Sequence, residues 1–239
     1  MKKVFIMVSV FLACMVLSFT AGMRYRYRDF QNGGLEMLVK EHLNKNGVAI
    51  EEMWVLADGL FNLNITCSAI SNLKVLYGIP LKTLVIAGTE VTGLSPLSEF
   101  KTLEELDISA TGVTDLTPLS ELVKLRKLKM NATKVSSLTP LIGLPLEELH
   151  ITRASVQDLD LSPITNIPLR VLWFSGTTVT NAGVILQTGI QEILFSPSDI
   201  STEQLNLLRR KKFLSINSYK DNDRFWQDFD KEQSQRLNE

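Results

Sequence analysis

The sequence predicts an α/β solenoid: a curved parallel sheet backed by short helical or irregular arms and closed at each end by capping helices. Three observations predict it. Segments of near-identical apolar pattern begin at Leu60, Leu81, Leu103, Leu125, Leu146 and Leu169, with a degenerate seventh at Ile190. Their spacings of 21, 22, 22, 21, 23 and 21 residues fall in the range of solenoid repeats. Outside the repeats, apolar residues recur at helical rather than strand spacing, as the ends of a stacked array require.

The clearest unit, residues 103–124, reads LEELDISATGVTDLTPLSELVK, and its neighbours read LKTLVIAGTEVTGLSPLSEFKT and LRKLKMNATKVSSLTPLIGLP. The shared pattern is L-x-x-L-x-I-x-x-T-x-V-x-x-L-x-P-L-x-x-L. Its L-x-I core, as in Leu84-Val85-Ile86 or Leu106-Asp107-Ile108, alternates with period two and reads as a short strand. The branched residue two after the Thr (Ile70, Val91, Val113, Val135, Val156, Val179, Ile200) turns inward once the chain bends. Leu94, Leu116, Leu138 and Leu159 then fill the middle of the core. Pro96-Leu97, Pro118-Leu119 and Pro140-Leu141 open the return arm, since proline suits a first helical turn. Phe100, Leu122, Leu144 and Ile167 close the inside. No unit buries these side chains alone, so stability requires stacking.

The ninth position carries Ser68, Thr89, Thr111, Thr133, Ala154, Thr177 and Ser198. A hydroxyl there can bond backbone groups at a buried bend. Ala154 interrupts the column and its unit has a residue extra, so an irregularity is expected there.

On these residues the region 60–200 resembles the leucine-rich-repeat family, in particular the short class found in internalins and in phosphatase-regulatory repeat proteins. It departs from that class at the ninth position, where Ser or Thr stands for the usual Asn. The Thr version with its Ser/Thr-Pro-Leu continuation is similar to bacterial repeat proteins, including repeat regions beside some planctomycete- and lentisphaera-type kinases. The tail Arg224-Phe225-Trp226-Gln227-Asp228-Phe229-Asp230 is similar to the closing segment of such regions. The sequence carries no kinase motif.

Both ends read as caps, giving a division into 1–28, an N-terminal cap 29–59, repeats 60–198 and a C-terminal cap 199–239. Leu35, Leu38, Val39, His42 and Leu43 form a helix face that Gly47 stops, with His42 a satisfied capping residue. Met53-Trp54-Val55-Leu56 reads as a strand. Leu205, Leu207 and Leu208 fit a helix, Phe213-Leu214-Ser215-Ile216 another strand, and Phe225, Trp226 and Phe229 one face of a final helix. Arg209-Arg210-Lys211-Lys212 is expected to be a solvated helix end; anionic lipid is the competing reading.

Residues 4–22 are apolar except for Ser9, Ser18 and Thr20, and their length matches the ~20 residues that cross a bilayer. A cleaved secretory signal and a retained anchor both fit. The long run and the Arg24-Tyr25-Arg26-Tyr27-Arg28 belt favour the anchor, which would place the repeats outside the membrane of a single-pass protein. Cleavage would instead make it secreted or periplasmic.

Composition narrows the function. Residues 1–28 hold five basic residues and no acid, leaving 20 basic and 26 acidic residues in the remainder. That is a poor footprint for nucleic acid. There is no G-x-S-x-G elbow, P-loop or G-x-G-x-x-G, and His42 and His150 belong to different elements. We therefore expect no enzyme, no cofactor and no metal. The resemblance implies recognition on the concave sheet, with a protein or peptide as partner and the chain itself a monomer. The outward positions of the strands read Asn64, Val85, Asp107, Lys129, His150, Trp173 and Leu194, beside Asn62, Thr83, Glu105, Lys127, Glu148, Val171 and Glu192. Asp107, Lys129, His150, Arg153 and Trp173 are the expected contacts, with Trp173 foremost because tryptophan is enriched at interface hot spots. A soluble regulatory subunit, resembling phosphatase regulators, is the alternative.

Overall fold

A computed structural model describes residues 34–155, 158–217 and 221–236 of the chain. The apolar run at residues 4–22 lies outside them, and no helix among the described residues is long and apolar enough to cross a membrane.

Helix α1 (Gly34–Lys45) opens the described chain, burying Leu35, Leu38, Val39 and Leu43. Gly47 ends it with φ 73°, a left-handed position glycine takes without a Cβ penalty. His42 Nε2 lies 2.9 Å from the Val75 carbonyl, a satisfied histidine as expected. Nine strands then form one sheet in strict sequence order. These are β1 (Glu52–Val55), β2 (Phe61–Asn64), β3 (Leu81–Val85), β4 (Glu105–Asp107), β5 (Lys127–Lys129), β6 (Glu148–His150), β7 (Val171–Trp173), β8 (Glu192–Leu194) and β9 (Ser215–Ile216). All neighbours are parallel except β1 and β2, which are antiparallel.

The sheet is thus longer than the roughly seven strands that the repeats specify. Both caps extend it, because pairing an end strand satisfies polar edge groups that would otherwise face a buried core. The strand expected over Phe213–Ile216 is shorter, at Ser215–Ile216, since Phe213 turns away to exchange two hydrogen bonds with the Asn222 side chain.

Behind the sheet, short 3-10 arms begin where the Pro-Leu pairs fall, at Ser95–Glu99, Thr117–Glu121 and Thr139–Leu141. The core is one stack: Leu84, Leu106, Leu128, Leu149 and Leu172 from the strands, and Leu97, Leu119 and Leu141 from the arms, are all essentially inaccessible. Truncating one of these leucines to alanine removes packing on both neighbouring coils, at a cost of about 3–5 kcal/mol.

The expected irregularity falls at Ala154, and it rearranges two assignments. Leu159 forms a parallel bridge to Val179 of the next coil. Leu161 immediately precedes the Ser162–Asn166 arm, taking the place that Leu94 and Leu116 hold in their own coils. Two inserted residues ahead of the Ser-Pro pair shift both leucines by one role. Val156 lies outside the described residues.

The hydroxyl column is real, with one replacement. Thr89, Thr111 and Thr133 each donate to the carbonyl three residues back, at 2.7, 2.6 and 2.8 Å. At the last coil Ser198 is exposed and Asp199 is buried in its stead. Its carboxylate accepts from Gly176 N at 2.9 Å and Ser196 N at 2.7 Å. Both bonds end on Oδ2, so one carboxylate oxygen ties Gly176 of the preceding coil to the Ser196 turn.

The C-terminal cap comprises α2 (Thr202–Leu208) and α3 (Asn222–Arg236). Phe174, Phe195, Phe225, Trp226 and Phe229 run as a chain of ring contacts 4.9–6.1 Å apart across the end of the core. The tail aromatics therefore cap. The basic cluster also serves the cap. Arg209 pairs with Asp230 and lies 4.9 Å over the Trp226 ring. Lys211 donates to Ile185 O at 2.9 Å and Thr188 O at 2.6 Å. Arg209, Arg210 and Lys212 are exposed, as expected of a solvated helix end, while Lys211 is half-buried.

Candidate functional site: the open face of the sheet

Strand register decides which side chains share the open face. Parallel pairing aligns Asn64, Val85, Asp107, Lys129, His150, Trp173 and Leu194 in one column. Asn62, Thr83, Glu105, Lys127, Glu148, Val171 and Glu192 align in the other. Both columns are those the repeat pattern specifies. The antiparallel β1 adds Trp54 opposite Asn62, leaving it 46% exposed at the N-terminal end of the same face. Trp54 was not foreseen as a member of this face, because its membership depends on β1 reversing direction.

Charge is sorted by strand. Together with the residue just before each strand, β4 offers Glu104, Glu105 and Asp107, β5 offers Arg126, Lys127 and Lys129, and β6 offers Glu147, Glu148 and His150. Opposite charges on adjacent parallel strands stabilise the sheet. Lys82 reaches Glu104 at 3.6 Å, Lys127 reaches Glu148 at 2.7 Å, and Arg126 pairs with Glu147. The row Asp107, Lys129, His150 differs, because a histidine stands where the two rows beside it have an acid.

His150 is only 3% exposed. The Trp173 ring lies parallel to the imidazole, 3.9 Å between centroids and 13° between planes. Nε2 is 2.7 Å from Glu148 Oε1. Burial pushes the imidazole below the usual histidine range. The Glu148 charge pulls the other way, and Lys129 and Lys127 add to the lowering. A neutral histidine therefore underlies Trp173, which is 36% exposed and forms the top of a two-ring stack. The open part of the pair is the tryptophan; the histidine supports it.

The remaining expected contacts divide. Asp107 Oδ1 accepts Ser109 N at 2.9 Å, a turn-closing bond that Asn64 also makes to Thr66 N at 3.0 Å. Part of its capacity is thus structural. Lys129 is half-buried, and it lines a recess of about 110 Å³ with Thr83, Val85, Glu105, Asp107 and Lys127. Arg153 is exposed and follows the end of β6 with φ 55°. Its amide bonds Ser175 O at 2.9 Å, in the same ladder that Ala110 and Ala132 use. Among the described residues, no group of three or more His, Cys, Asp and Glu side chains is placed to hold a metal ion.

The sequence matches no protein-family model and no curated protein. Among solved structures the chain is similar to an internalin (inlF) from Listeria monocytogenes, with a TM-score of 0.55 and 22% identity over 65% of this chain. It spans 46% of that internalin. It is also similar to internalin C2 (inlC2) from the same organism, with a TM-score of 0.54 and 22% identity over 64% of this chain and 68% of that one.

Proposed function

We propose that this leucine-rich-repeat solenoid is a non-catalytic recognition module that binds a protein or peptide on the open face of its sheet, centred on Trp173. The carrying observation is the ring stack itself. A large side chain held 36% exposed over a buried histidine is rigid before any partner arrives, so little side-chain entropy is lost when it is covered. Tryptophan in such a setting is the residue type whose truncation most often costs binding energy. The internalin-like fold is consistent with this reading and does not by itself carry it.

Residues 4–22 support a place at the cell envelope, with the division 1–28, 29–59, 60–198 and 199–239 setting an anchor or signal, two caps and the binding repeats. The chain would act as a monomer, with α1 packed beside β1 and α3 beside β9 at the two ends of the sheet.

The test is capture from envelope extracts with the full chain and with its Trp173→Ala form, both checked for cooperative unfolding. A partner kept by the wild type and lost by a folded Trp173→Ala protein supports the assignment. A partner held equally by both moves the site away from this face. Recovery of the native chain in the soluble rather than the membrane fraction would remove the anchor and favour cleavage or a soluble regulator.

A further inference from the structure

Taking the surface around Trp173 as the binding face, we propose that its partner is a short acidic peptide segment: carboxylates facing Lys129 and Arg153, with an apolar or aromatic side chain between them seated on Trp173. The fold leaves two cations on this face without an ion-pair partner among the described residues. In the rows beside Lys129 the basic residue of β5 is paired across the sheet, Arg126 with Glu147 and Lys127 with Glu148. Lys129 faces His150 instead, and no carboxylate of the described residues lies within ion-pair distance of its ammonium. Asp107, its register partner on the other side, is turned to the Ser109 amide. His150 offers no negative charge to Lys129 in either protonation state.

Arg153 gives an independent observation. It occupies the left-handed step that closes a strand, where other coils place Cys67, Gly88, Ala110, Ala132 and Gly176. Small residues suffice for that step, whose only fixed duty is a backbone hydrogen bond. A long side chain gains nothing there structurally and pays about 1 kcal/mol of left-handed strain like any non-glycine. The next coil makes room for it: a Cβ on Gly176 would sit 3.2 Å from Arg153 Cγ. The guanidinium is exposed, and no ion pair among the described residues involves it. A strained, accommodated and unpaired arginine points to a ligand. Arginine also suits carboxylates through its two-pronged donor geometry.

Length and class of the ligand follow from what bounds the patch. Glu105 on β4 and Glu192 on β8 are exposed and carry no ion pair among the described residues. A long polyanion laid along the face would meet both, so nucleic acid and anionic membrane fit poorly. A segment with one or two carboxylates beside an apolar residue meets the cations and avoids the acids.

The test selects a random peptide library displayed on phage against the full chain. The strongest peptides are then titrated against wild type, Lys129→Gln, Arg153→Gln and Trp173→Ala, each first shown to unfold in a single cooperative transition. Expected are peptides carrying Asp or Glu next to an apolar residue. Each charge-removing variant should weaken them about five- to tenfold, and each effect should vanish when the peptide carboxylate is replaced by its amide. Peptides lost on Trp173→Ala yet indifferent to Lys129→Gln and Arg153→Gln would keep the binding face and overturn the acidic partner. Peptides indifferent to all three would overturn both readings. Basic or uncharged consensus sequences, no enrichment at all, or stronger Arg153-dependent binding to phosphatidylserine vesicles would each overturn the proposal.

Discussion

The Thr177 hydroxyl serves the coil before its own. It donates to Ile151 O at 2.5 Å and accepts from Ala154 N at 2.9 Å, so it bonds the carbonyl that a threonine at 154 would have reached. Thr89, Thr111 and Thr133 keep to their own coil. The gap that Ala154 opens in the hydroxyl column is therefore filled from the neighbouring repeat, across 23 residues of sequence.

Thr177→Val should consequently cost more than Thr111→Val. The first strands a half-buried amide and a buried carbonyl, the second only the Ile108 carbonyl. At about 1–3 kcal/mol for each stranded group, the difference is about 1–2 kcal/mol in urea unfolding. Equal losses would show that Ala154 N finds another partner.

Asp199 closes the last coil by accepting two backbone amides while buried. Asp199→Ala should lower stability by about 2–3 kcal/mol, and Ser198→Ala by less than about 0.5 kcal/mol. The two urea midpoints check this, and the reverse order would return the role to Ser198.

Gly176 has φ 75° and faces Arg153 Cγ. Gly176→Ala should destabilise by about 1–2 kcal/mol from backbone strain alone, with a further part from the contact. Arg153→Ala should recover only the contact part. A double-mutant cycle reads this as a coupling of about 0.5 kcal/mol or more, and strict additivity would rule the contact out.

His150 makes stability depend on pH. Its folded imidazole titrates below the ordinary value because of burial, so the unfolded chain takes up the proton first. Where the unfolded state binds more protons, stability rises with pH. The contribution is thus complete above about pH 6.5. It is lost as pH falls from there through the lower folded value, and then levels off. Comparison with His150→Gln isolates it: the wild type should lose its stability difference over that window. A difference that is constant with pH would mean the buried imidazole is not held neutral.

The repeat pattern alone specified the solenoid, the inward leucines and both columns of the open face. Period two and a fixed spacing leave one register for in-line parallel strands, so Asp107, Lys129, His150 and Trp173 had to be neighbours. It also singled out Ala154 as the irregular point. Tertiary structure decided what depends on contacts between coils or on chain direction. That Trp173 covers His150 follows from rotamers chosen in packing, and that Trp54 joins the same face follows from β1 running antiparallel. The choice of Asp199 over Ser198, and of Leu159 as the bridge to Val179, rests on where inserted and terminal residues let the chain bend. A linear pattern records which side a residue faces; it does not record which neighbour reaches across to complete it.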